Sequence, residues 1–89
     1  MNSQTKIEII RSRLIEAFAP SYLNVIDESD QHIGHAGHQG GGRHFAIEIA
    51  ADSLQGLSRV NAHRKIYSLF QDLMPDEIHA LRIKVIINY

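Results

Sequence analysis

Two alternating stretches with a helix-length run between them constrain this chain more tightly than any other feature. In His44–Ala50, Phe45, Ile47 and Ile49 share one face, while His44, Ala46, Glu48 and Ala50 share the other. From Ala80 to Tyr89, Leu81, Ile83, Val85 and Ile87 face one way, and Arg82 and Lys84 face the other. His79 stands where this second strand begins, in phase with its core-facing row. Between the strands, Ser58 caps a helix whose apolar face is Val60, Ile66, Tyr67, Leu69, Phe70 and Leu73. Pro75 ends that helix and opens a short one, Pro75 to Ile78. A strand, a helical crossover and a second strand in one sheet predict a parallel, right-handed pair.

The residues before this unit add one helix and one strand. Thr5-Lys6-Ile7-Glu8 has the spacing of a capping box, with Thr5 as the N-cap. Ile7, Ile10, Leu14, Ala17 and Phe18 then recur at helical spacing, which predicts a helix from Lys6 to Phe18, stopped by Pro20. Tyr22–Asp27 is a β-rich run that pairs most simply antiparallel with His44–Ala50. The order is helix, strand, strand, helix, short helix, strand. It predicts an α+β fold: a three-stranded mixed sheet with helices packed on one face, as a single domain over residues 1–89.

The connection from Asp27 to His44 is the most biased segment. It holds four of the six histidines and five of the six glycines. Glycine frees the backbone, and histidine is the commonest metal ligand, so the segment reads as an adaptable ligand set. The plainer reading is a polar surface loop. Its length beyond a hairpin turn points to function.

Charge and composition exclude several classes. Nine basic and ten acidic residues give a net charge of −1, which argues against strong non-specific nucleic-acid binding while leaving room for a local patch. Arg59, Arg64 and Lys65 form such a patch on the second helix; a solvated face is its ordinary meaning, and contact with phosphate or an acidic partner is the functional one. There is no cysteine, hence no disulfide and no thiolate for a metal, which fits a reducing cytoplasm. Met1–Lys6 does not read as a signal peptide, and no apolar run approaches about 18 residues, so no membrane partner is expected. An enzyme is not expected either. Ser29 and Ser58 lack a nucleophile-elbow context, and the Gly-rich segment leads into a strand rather than a helix. Asp27, Glu28 and Asp30 read as loop-shaping acids.

Several motifs in order resemble the BolA family: Asp27-Glu28-Ser29 followed by His32, His44-Phe45, Gly56-Leu57-Ser58-Arg59, His63-Arg64-x-Ile66-Tyr67, and Ile78-His79-Ala80-Leu81. The resemblance covers nearly the whole chain and implies a fold like a class II KH domain. The KH Gly-x-x-Gly loop between helices is missing; Gly34-His35-Ala36-Gly37 has its spelling but lies between strands.

The resemblance also implies a partner, a monothiol glutaredoxin, and a two-iron two-sulfur cluster shared with that partner and with glutathione. This chain's ligands would be His79 and His32, with His35 and His38 as alternates. His44 is then a structural residue or a hydrogen-bond donor behind a ligand, and His63 a packing or surface residue. Two histidines without cysteine make an incomplete site, which invites a second molecule to finish it. The isolated chain is expected to hold no cluster. An incomplete site also allows a weak homodimer, or adventitious zinc or nickel on the loop histidines. Some members are transcriptional regulators, so DNA binding through the helix around Arg59–Lys65 is the alternative function.

Overall fold

The computed structural model describes residues 2–28 and 44–87. The chain runs α1 (Ser3–Phe18), β1 (Tyr22–Asp27), β2 (His44–Ala50), a 3-10 turn (Asp52–Leu54), α2 (Arg59–Tyr67) and β3 (Ala80–Val85). The three strands form one sheet in the order β1-β2-β3. β1 and β2 are antiparallel, with Val25 opposite Ile47. β2 and β3 are parallel, with His44 opposite Ala80 and Ile47 opposite Ile83. The mixed α+β architecture is therefore the predicted one.

The alternating rows explain the layering. Phe45, Ile47 and Ile49 are buried, and with Leu81 they meet Ile10 and Leu14 of α1 and Ala62 and Ile66 of α2 in one core. Phe70 and Ile78, in the segment between α2 and β3, are also fully buried. Both helices thus cover the same sheet face. Ser58 caps α2 as expected: its hydroxyl accepts from the Asn61 N–H at 3.1 Å. Gly56 sits just before, at φ 81, the left-handed conformation that glycine adopts without steric cost.

Local details depart from the sequence reading. α1 starts at Ser3, not Lys6, because the Asn2 side chain, not Thr5, provides the cap; the Thr5 N–H donates to Asn2 Oδ1 at 2.8 Å. The earlier start places Lys6 inside the first turns, where it is buried and pairs with Glu77 at 3.3 Å. Ala17 faces solvent. So does Val60, 57% exposed on the first turn of α2, and Ala62 takes the core position instead.

α2 ends at Tyr67, and its continuation is a series of turns that still buries Phe70 and Leu73. The predicted short helix Pro75–Ile78 is not formed. The N–H groups of Glu77 and Ile78 both bond to Leu73 O, at 2.8 and 2.9 Å, which closes a turn instead of starting a helix. β3 ends at Val85, and Ile87 is 70% exposed rather than part of the core row.

Candidate metal centre

The β1–β2 connection leaves and returns at one end of the sheet. β1 closes at Asp27, and the Glu28 N–H donates to His44 O at 2.8 Å, so both stems of residues 29–43 are held side by side. The Glu28 carboxylate is bound by Arg82 of β3, whose Nε donates to Oε1 at 3.1 Å while Nη2 reaches Oε2. That hydrogen bond, with the carboxylate charge, raises the Arg82 pKa further above its ordinary value. One stem of the connection is thereby tied to β3.

His79 lies at this same end. Ile78 before it is fully buried and Ala80 after it pairs with His44, so the backbone is fixed on both sides. His79 itself is exposed. This corrects the expectation that it continues the core-facing row: it lies one residue outside the strand, beyond the reach of strand alternation. Its ring sits 5.2 Å from that of His44, centroid to centroid, with the planes inclined at 50°.

His32, His35 and His38 lie outside the described residues. Among the described residues no group of three or more His, Cys, Asp or Glu is placed to hold a metal ion. At this end of the sheet the described residues show one exposed imidazole with a second beside it, and the sequence holds no cysteine to supply a thiolate. Such a donor set fits one side of a histidine-ligated cluster whose thiolates come from other molecules. The sequence reading gave His44 a supporting role only. Its nearness to His79 follows from the parallel register, which neither strand reveals alone.

At about 100° per residue, Arg59, Arg64 and Lys65 lie roughly 100–140° apart around α2, so they do not form one face. All three are exposed. Only Arg59 borders the groove between α2 and β3, a cavity of about 500 Å³. That groove is floored by Leu54, Ala62, Ile83 and Val85 and edged by Arg59, His63, Arg82 and Lys84. Arg82 and Lys84 were legible only as the polar row of a strand. No described helix is long and apolar enough to cross a membrane.

Comparison with known proteins gives a consistent result. A family model described as "BolA-like protein" matches residues 14–88. The DNA-binding transcriptional regulator BolA of Escherichia coli is 36% identical, over 85% of this chain and 70% of that one. The SufE-like protein 1 of Arabidopsis thaliana is 43% identical over 83% of this chain; the match spans only 21% of that longer protein. Among solved structures, the BolA domain of SufE1 from the same plant superposes with a TM-score of 0.83 at 38% identity, covering 94% of this chain and 93% of that one.

Proposed function

The chain belongs to the BolA-like family, and from that premise we propose that it is a non-enzymatic cytoplasmic adaptor that pairs with a monothiol glutaredoxin. The pair, with glutathione, shares a two-iron two-sulfur cluster in iron–sulfur trafficking or iron and redox regulation. The single observation that carries this reading is the exposed His79, held by its buried and paired neighbours at the sheet end where residues 29–43 leave and return.

Each part of the chain has a task in this reading. Ile78 and Ala80 orient His79 toward the partner. The Arg82–Glu28 pair fixes a stem of the segment that carries His32, the second ligand, with His35 and His38 as its alternates. Imidazole ligation raises the reduction potential of such a cluster relative to an all-thiolate one. The thiolates come from the partner and from glutathione, because this chain has none. Imidazole must be neutral to bind metal, so retention of the cluster falls as pH drops through the histidine range.

The test is to mix the chain with a cluster-loaded monothiol glutaredoxin and glutathione, and record visible absorption and circular dichroism. The expected outcome is a new spectrum with wild type and none with His79→Ala. An identical change with that variant rejects the ligand assignment.

A second reading, DNA binding, is favoured by a different observation: Arg59, Arg64 and Lys65 are exposed on α2, and Arg59 borders a groove edged by Arg82 and Lys84. One relative carries the name of a DNA-binding transcriptional regulator. With about three phosphate contacts, duplex affinity should drop with a log–log salt slope of roughly −3. Replacing Arg59, Arg64 and Lys65 by alanine should abolish it in a fluorescence anisotropy titration. Absence of binding at low salt removes this reading.

A further inference from the structure

The contact between His44 and His79 has more in it than two neighbouring rings. By alternation, His44 belongs to the sheet face opposite Phe45, and a residue at position 79 would share the face of Leu81. The two side chains would then diverge. They converge because His79 precedes the strand, and the parallel register brings Ala80 opposite His44. The result is an inclined pair of imidazoles with centroids 5.2 Å apart, one ring exposed and the other half-buried.

That separation has a chemical counterpart. Metal–nitrogen distances of about 2.0–2.1 Å, with roughly 1.1 Å more to the ring centre, put two neighbouring imidazoles on one ion roughly 4.4 Å apart, centroid to centroid, in the tetragonal geometry of Cu²⁺ and roughly 5.1 Å apart in a tetrahedral one, so a small rotation of the exposed His79 ring closes the pair on copper. We propose that His44 and His79 form a two-imidazole chelate for a divalent late transition ion, Cu²⁺ foremost, in the chain without any partner. Copper leads because nitrogen sites of this kind follow the Irving–Williams order.

Among the described residues no third donor completes the set, so water or an added ligand takes the remaining positions and the ion stays exchangeable. Glu28 is not that donor, since its carboxylate is engaged by Arg82. His44 makes a further contact of its own. Coordination tolerates this, because a ligating imidazole binds metal through one ring nitrogen and commonly uses the other for a hydrogen bond. The chelate needs neither thiolate nor glutaredoxin, so it stands or falls separately from the cluster reading.

The test uses the full chain with His32, His35 and His38 all replaced by alanine, which removes the competing loop imidazoles. Cu²⁺ alone is titrated in, with affinity measured by competition against a chelator of known strength and the ligands read by electron paramagnetic resonance. One ion with two equatorial imidazole nitrogens is expected. Adding His79→Ala, His44→Ala or the bulk-preserving His44→Gln should each weaken binding at least tenfold and leave one imidazole in the spectrum, whereas adding His63→Ala should change nothing. The proposal is overturned if the loop variant binds no copper, or if its affinity and spectrum are indifferent to the His44 changes. Thermal unfolding of each variant separates loss of a ligand from loss of the fold.

Discussion

Ala19 ends α1 in the left-handed region, at φ 44 and ψ 58, with its N–H bonded to Ile15 O at 2.9 Å. An L-residue with a Cβ is costly there, by roughly 1–2 kcal/mol, and helices that stop this way usually use glycine. Ala19 is exposed, so no packing offsets the conformation. Replacing Ala19 by glycine should therefore stabilise the fold by about 0.5–1 kcal/mol after the extra freedom of glycine in the unfolded chain is subtracted. Denaturant unfolding reads this directly, and a loss of stability would contradict it. His79 teaches a related lesson at the same scale. Its motif was legible, but its exposure was not, because strand phase stops applying one residue beyond Ala80. His44 was legible only as the start of a strand. Its partner across the sheet depends on register, which pairs residues more than thirty apart.

Between elements, a polar tie of three hydrogen bonds joins α1 to the turns after α2. Arg13 donates through Nη1 and Nη2 to the two carboxylate oxygens of Asp72, at 2.7 and 3.0 Å, and also to Leu69 O at 2.7 Å. Its guanidinium lies 5.9 Å from the centre of the Phe70 ring. The hydrogen bonds from Arg13 hold the Asp72 carboxyl below the usual carboxylate range. A depressed folded-state pKa contributes stability that is present above the ordinary value and lost as pH falls through the lowered one. Asp72→Asn should thus lower the melting temperature at neutral pH, and the gap from wild type should close in acid, below the usual carboxylate range. A gap that persists at low pH would show that the charge is not its source. Nothing in the periodicity marked Arg13, which reads as one more polar residue between Ile10 and Leu14. The helices and strands themselves were legible because Phe45, Ile47, Ile49 and Ile10, Leu14 repeat at two different periods. Their ends were less so. Asn2 and Thr5 both suit a cap, and choosing Asn2 extends α1 far enough to set Lys6 against Glu77.

Across the whole molecule, the core and the candidate site occupy different places, so stability and function should separate on mutation. Ile47 is fully buried at the middle of the central strand, between Val25 and Ile83 and beneath both helices. His79 is exposed at the sheet end, and its position is held by its neighbours rather than by its own ring. Ile47→Ala removes buried methyl groups from a site that neighbouring strands prevent from collapsing, at a cost of about 2–5 kcal/mol. That is a large share of the roughly 5–15 kcal/mol available to a domain of this kind. His79→Ala removes an exposed ring and should shift stability by no more than about 0.5 kcal/mol. Chemical denaturation of both variants, alongside the glutaredoxin titration, tests the separation. The expected pattern is an Ile47 variant that unfolds early yet still gives the cluster spectrum while folded, and a His79 variant that unfolds like wild type yet gives none. If His79→Ala proved as destabilising as Ile47→Ala, this residue would be part of what holds the sheet end together. A missing cluster signal would then report lost structure instead of a lost ligand.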